Sequence, residues 1–328
     1  MTEKTFKVGL LGLGVMGQRH LEAYQAIPGV EVVTRASPAF ASVPVQSDHG
    51  AYQTALCQAM IEDAAVDALD LCLPTGLHAP LSIAALDAGK HVICEKPMAL
   101  TREDCSRMLR ASERALARNK GILMIAHVLR FWPAYRFLHE VVACRAYGAL
   151  CSASLTRKSG LPTWAPWLLR KEESGGGILD MLIHDFDQAL LLFGVPESAR
   201  AHTVESANTL ECSLRYKGGL EVAIAGGWHA GEVPFGMGFE LMSSGGELRF
   251  AGDHLQLLRP PDAVVEIPLE AIDPYAVQLA YFVDCCRSGR APVECTPESS
   301  AQAVELACAI RDLAESSEGE RKIFLGGS

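Results

Sequence analysis

The 328-residue chain predicts an α/β fold in which a doubly wound parallel sheet is followed by an α+β domain on an open, mainly antiparallel sheet. Three observations predict it. Up to Val128, short apolar runs suited to buried strands alternate with amphipathic helical stretches, the pattern of successive β-α-β units. The first of those runs passes straight into a glycine-rich turn that opens a helix. From Gly148 the apolar period drops to two, with Gly-Gly turns between the runs, as in antiparallel hairpins. The length exceeds a single core, so two domains are expected, 1–128 and 129–328, with a closing helix over 297–316 available to pack back on the first.

Phe6 to Leu11 reads as a buried strand ending in Gly12-Leu13-Gly14-Val15-Met16-Gly17, after which Leu21, Tyr24 and Ile27 mark an amphipathic helix. This is G-x-G-x-x-G between strand and helix, the dinucleotide fingerprint of a Rossmann domain. Gly12 allows the tight turn, Gly14 lets backbone approach a pyrophosphate, and Gly17 permits close helix-strand packing. Val15 and Met16 lie at the helix N-terminus that faces the phosphates. A second strand, 30–36, ends at Ser37, where an acid that bonds the ribose is expected. Serine removes the carboxylate that would repel a 2′-phosphate, and Arg35 lies on the same side of the strand. The cofactor is therefore NAD or NADP, with NADP slightly favoured. The Ser-, Pro- and Ala-rich link over 38–50 is too short and broken for a long crossover helix.

A third strand over 66–73 leads into Pro74-Thr75-Gly76-Leu77-His78 and a helix to Ala88, with a fourth strand over 91–94. Glu95-Lys96-Pro97 then falls at a carboxyl strand end, where open parallel sheets bind ligands. Thr101 and Asp104 resemble a capping box, ahead of a helix whose inner face is read as Cys105, Met108, Leu109, Ser112 and Leu116. The fifth strand covers 121–128, and Arg130 follows it at the crevice edge.

In the second half, Gly175-Gly176-Gly177 precedes Leu179, Leu182, Ile183 and Phe186 at helical spacing, which predicts one helix from about Gly177. Asp180 and His184 then stand one turn apart on one face. An acid so placed orients the imidazole and raises its basicity, giving either a proton-transfer pair or a half-buried pair that satisfies itself. Arg157, Trp164, Trp167, Arg170 and Lys171 precede the glycines as candidates to line a pocket for hydroxyls and sugar rings, and packing of a long loop is the other reading. Hairpins are expected through Gly218-Gly219 and through Ser244-Gly245-Gly246.

Apolar content of 49% and charged content of 21% describe an ordinary soluble globular chain. A net charge of -10 lacks the basic field that nucleic acid or an anionic membrane demands, so a small-molecule partner is expected. Eleven cysteines without a C-x-x-C pair suit reduced thiols in the cytoplasm. Neither a cleavable leader nor a membrane span is read from the sequence.

Gly12-x-Gly14-x-x-Gly17, Pro74-Thr75-Gly76-Leu77-His78, Glu95-Lys96-Pro97, Arg130-Phe131-x-Pro133 and Gly175-Gly176-Gly177 with Asp180-x-x-x-His184 occur in this order over nearly the whole chain. Together they resemble the Gfo/Idh/MocA oxidoreductases, the group of glucose-fructose oxidoreductase and inositol dehydrogenase. The resemblance implies that Lys96, Asp180 and His184 form the catalytic group. In this reading His184 takes the proton of a substrate hydroxyl, Lys96 bonds that oxygen, and Asp180 orients His184. It further implies a cis bond before Pro97, Glu95 near the nicotinamide ribose, Leu73, Pro74, Thr75 and His78 beside the cofactor, and a homodimer or homotetramer built by stacking the open sheets. No metal is implied, although Asp180, His184 and Asp187 are of ligand type. The sequence departs from the family's usual Thr-Pro-Asn at Leu73-Pro74-Thr75 and has Leu182 two residues after Asp180, where glycine is common. The expected activity is NAD(P)-dependent oxidoreduction of a secondary alcohol in a sugar, inositol or polyol. A glycoside hydrolase that uses NAD without net redox change and a non-catalytic cofactor sensor are the alternatives.

Overall fold

The computed structural model describes residues 5–34, 49–206, 208–259, 261, 263–316, 320–323 and 325. It forms two compact units, 1–131 with 273–301, and 132–272 with 302–328.

In the first unit β1 (Phe6–Leu11), β2 (Val30–Val33), β3 (Ala68–Leu71), β4 (His91–Glu95) and β5 (Leu123–Ala126) make a parallel sheet in the order β2-β1-β3-β4-β5. The crossovers carry α1 (Val15–Tyr24), α2 (His49–Glu62), α3 (His78–Asp87) and α4 (Arg102–Ala117). α2 starts where the broken link expected over 38–50 ends. Phe6, Val8, Ala68, Ile93 and Met124 pack with Ala23 and Tyr24 of α1 and with Leu279, Phe282 and Val283 of the helix Pro274–Ser288. That later helix therefore completes the core of a sheet formed much earlier in the chain. Thr101 caps α4, its hydroxyl accepting from the Asp104 amide at 3.1 Å, a bond worth about 1 kcal/mol. The buried face of α4 is Cys105, Met108, Ala111, Ser112 and Ala115, whereas Leu116, expected inside, is 38% exposed. α4 packs against α3, and Ala111 and Ala115 on its buried face are fully covered.

The second unit contains α5 (Pro133–Cys144), β6 (Leu150–Gly160), α6 (Lys171–Ser174), α7 (Gly176–Asp180) and α8 (Ile183–Phe193), followed by a run of strands. These are β7 (Ser198–Ser206), β8 (Thr209–Arg215), β9 (Glu221–His229), β10 (Gly236–Ser243), β11 (Gly246–Ala251), β12 (His254–Arg259), β13 (Ala263–Glu266) and β14 (Arg321–Lys322). The nine-stranded sheet runs β13-β12-β11-β10-β6-β9-β8-β7-β14 and is antiparallel except where β6 lies parallel to β9. Both expected hairpins are present, with Arg215 opposite Glu221 and Ser243 opposite Gly246. Along β6, Ala153, Leu155, Arg157 and Ser159 are buried on alternate positions, and α8 packs on β6 and β9. The final helix, Pro297–Glu315, contributes residues to both units. No helix among the described residues is long and apolar enough to cross a membrane.

Candidate functional site

In the first unit the glycine turn, the segment 73–78 and Glu95-Lys96-Pro97 all lie at the carboxyl ends of parallel strands, Glu95 being the last residue of β4. Gly12 has φ +81°, and a Cβ there would lie 2.0 Å from the Cys72 carbonyl oxygen; a Cβ on Gly17 would lie 1.8 Å from that of Gly12. Those two glycines are closed by the protein itself. Gly14 is exposed and a Cβ there meets nothing within 4 Å. It is also the N-cap of α1, with no side chain capping the helix, so the first amides stay directed outward as an anion cradle. The described residues thus fit a dinucleotide pyrophosphate. Val15 and Met16 open the same helix, while Arg35 and Ser37 lie outside the described residues.

His78 is buried between two of these loops, with Nδ1 2.9 Å from the Pro97 carbonyl oxygen and Nε2 2.8 Å from that of Leu73. Burial lowers its proton affinity more than the two carbonyls restore it; the ring lies between the two loops and, when neutral, donates to one of the two carbonyls. Thr75 and Leu73 are buried, Pro74 is partly exposed, and the Lys96-Pro97 bond is cis. Lys96 itself is partly exposed.

A buried polar cluster that the sequence reading missed stands behind Glu95. His20 of α1 is fully buried, with Nδ1 2.9 Å from Asp70 Oδ2 and Nε2 3.2 Å from Glu95 Oε1. The Cys72 thiol is 3.3 Å from the same Nδ1 and 3.4 Å from Asp70 Oδ1. Burial works against the charged ring, but Asp70 and Cys72 outweigh it and raise the His20 pKa well above its ordinary value. Burial pushes Glu95 up, yet His20, Lys96 and the Lys96 amide hold its carboxyl below the usual range. His20, three residues past Gly17, is the available sequence signal, since that position turns toward the sheet.

Arg130 is buried, and its guanidinium donates to the Glu294 carbonyl and, at 3.0 Å, to the Ser299 hydroxyl. Both partners belong to the first unit. Those bonds fix the single helical turn Val128–Phe131 to the first turn of the last helix and the segment before it, which leaves little of the group for the substrate contact expected of it.

In the second unit the expected single helix is two. α7 ends at Asp180, the Met181 and Leu182 amides both bond the Gly177 carbonyl at 3.1 Å, and α8 starts afresh at Ile183. A bond five residues back offsets the second helix from the first. Asp180 therefore closes one helix and His184 stands in the first turn of the next, both partly exposed beside fully buried Leu182 and Ile183. Nothing local marks the break, as 178–183 holds neither Gly nor Pro.

The glycines before α7 serve backbone packing. Gly175 and Gly176 have φ of +78° and +73°. A Cβ on Gly177 would lie 2.3 Å from the Asn208 carbonyl oxygen, while the Gly177 amide reaches Asn208 Oδ1 at 3.3 Å. The same carbonyl accepts from the Trp228 amide at 2.7 Å, so Asn208 ties the start of α7 to β9.

Arg157, a candidate for substrate contact, is 4% exposed, with Nε 2.9 Å from Asp185 Oδ2, and it also meets the Tyr135 hydroxyl at 3.4 Å. Burial disfavours the guanidinium, but Asp185 and Tyr135 more than offset this and keep it charged. It anchors α8 one residue beyond His184. Trp164 is 64% exposed and Trp167 partly buried in the segment before α6; Arg170 and Lys171 pair with Glu173 and Glu315 at the surface. Asp187, the further ligand-type residue, is buried in α8. Among the described residues one group of metal-ligand types lies close together, His20, Asp70 and Cys72.

A family model described as an oxidoreductase family with an NAD-binding Rossmann fold matches residues 6–124, and a GFO/IDH/MocA C-terminal domain model matches 135–249. Levoglucosan dehydrogenase of Pseudarthrobacter phenanthrenivorans is 29% identical over 76% of this chain and 65% of its own length. Myo-inositol 2-dehydrogenase of Thermotoga maritima is 32% identical over 57% of this chain and 55% of its own. The chain's match thus spans less than two thirds of either relative. A solved levoglucosan dehydrogenase in its apo form superposes with a TM-score of 0.81 at 20% identity, over 99% of this chain and 100% of that one, a likeness of fold.

Proposed function

The chain belongs to the Gfo/Idh/MocA oxidoreductase family, and from that premise we propose that it moves hydride between a nicotinamide dinucleotide and a secondary alcohol or ketone of a sugar, inositol or related polyol. The observation that carries this reading is the glycine turn, shut at Gly12 and Gly17 and open at Gly14. Bound there, the dinucleotide supplies the hydride acceptor or donor. Lys96 donates a hydrogen bond to the reacting oxygen and stabilises its developing negative charge. His184 takes the hydroxyl proton during oxidation and returns it during reduction, and Asp180 orients the ring and stabilises its charged form. The relatives' names support the substrate class.

NADPH is the slightly preferred reduced cofactor, on the identity of Ser37 and the nearby Arg35. Dissociation constants for NADH and NADPH test it, and tighter NADH binding would overturn it. A homodimer or homotetramer is proposed on the outward positions of β6 and β9. Ser152, Ser154, Thr156, Ala223 and Ala225 give that face small side chains that a second copy can stack on. A sedimentation mass equal to one chain would count against it. Eleven cysteines, none in a disulfide and most of them buried, suit a reducing cytoplasm.

The activity is tested by following nicotinamide absorbance across a panel of polyols and sugars, with aryl glycosides as controls. Net turnover of a polyol is expected. Glycoside cleavage without net cofactor reduction would move the protein to a hydrolase, and cofactor binding with no turnover would leave it a sensor.

A further inference from the structure

Behind the loop that carries Lys96, the His20 ring faces a carboxylate on each side: Nδ1 makes a 2.9 Å hydrogen bond with Asp70, and Nε2 lies 3.2 Å from Glu95 Oε1, an ion-pair distance without hydrogen-bond alignment. Carboxylate oxygens only accept, and a neutral imidazole has one N–H, so a neutral ring would set a lone pair against one of them. Removal of the charge would also leave two carboxylates buried together, which is costly in a medium of low dielectric. The second Glu95 oxygen, Oε2, accepts from the Lys96 amide at 3.1 Å. Glu95 is therefore held on one side by His20 and on the other holds the peptide that bears the Lys96 ammonium.

We propose that His20 is a positioning residue: as an imidazolium clamped between Asp70 and Glu95, it fixes Glu95 against the Lys96 amide and so sets where the Lys96 side chain stands. The effect on turnover rests on the role proposed for Lys96; the charge on His20 does not. The groups that face the ring are Asp70 of β3, Cys72 just after it, Glu95 of β4 and Tyr275 of the helix Pro274–Ser288, whose ring centre is 6.3 Å away. Tyr24 of α1 acts on the cluster through Asp70, and Arg19 stacks on Tyr275. The atoms of His20, Asp70 and Cys72 are at mutual hydrogen-bond distance, which a proton satisfies without rearrangement.

The test is nitrogen NMR of the intact protein labelled at its ten histidines. One ring should keep both nitrogens protonated above neutral pH, lose its signal in His20→Gln and shift in Glu95→Gln. The Lys96 amide proton, hydrogen-bonded to a carboxylate, should move upfield in either variant. A neutral tautomer for that ring at pH 7, or a stoichiometric metal ion on the purified protein, would overturn the proposal. The wild-type spectrum and Glu95→Gln keep the test alive should His20→Gln fold poorly. With a polyol that the wild type oxidises, His20→Gln should lower kcat about tenfold or more while the reduced-cofactor Kd stays within about threefold. The alkaline limb of the wild-type kcat profile should vanish with it. Unchanged kcat, or a loss seen only in Kd, would refute positioning of Lys96. Absence of any turnover in the wild type would refute the proposed activity, and the NMR readouts would still decide His20.

Discussion

Arg157 and Asp185 show at the scale of one residue how a buried charge is settled by its partner. Arg157→Leu leaves Asp185 buried and uncompensated, which should cost about 3–5 kcal/mol in urea unfolding. Arg157→Met combined with Asp185→Leu should recover much of that, and strict additivity of the two single changes would refute the pairing. For Lys96→Ala, loss of the donor to the reacting oxygen should lower kcat by about 10²–10³ with cofactor binding kept. A variant within about threefold of wild type would remove Lys96 from the mechanism. The inward parity of Arg157 was legible in β6, since it alternates with Ala153 and Leu155. Its partner was not, because Asp185 adjoins His184 in a stretch whose burial depends on which strands it meets.

At the scale of elements, the two glycine-rich turns do different work. Gly14→Ala meets open space, so it should leave the melting temperature nearly unchanged and weaken dinucleotide binding by about tenfold or more, as the Cβ intrudes on the cradle. Gly17→Ala pushes a Cβ onto the Gly12 carbonyl and should cost about 1–3 kcal/mol of stability. The opposite ranking in calorimetry would refute this division. The fingerprint was legible because its spacing is tied to local turn geometry. The break between α7 and α8 was not, because the residues at Met181 and Leu182 favour a helix and carry no local stop signal, although their amides both bond the Gly177 carbonyl.

For the whole molecule, the His20 cluster predicts a stability profile with two sides. The His20 pKa is raised above its ordinary 6.5, so its contribution is complete below that pH and is lost as pH rises through the raised value. Glu95 is held below its ordinary 4.5, so its share is present above that pH and is lost as pH falls through the depressed value. Thermal midpoints should therefore fall on both flanks, with the alkaline fall missing in His20→Gln. An alkaline flank identical in that variant would show that other groups cause it.

The sequence by itself determined the class of each half, the alternation of strands and helices around the dinucleotide turn, and that turn itself, while the catalytic candidates came from the family resemblance. The turn and the alternation rest on contacts a few residues apart, which spacing records; α2 and the break between α7 and α8 were not read. Tertiary structure alone decided that the helix Pro274–Ser288 completes the core of the first sheet. It also decided that Arg130 and Arg157 are spent on protein partners and that His20 sits between two acids. Each of these depends on residues distant along the chain, and a buried polar group takes its role from whichever partners the fold brings within hydrogen-bond reach.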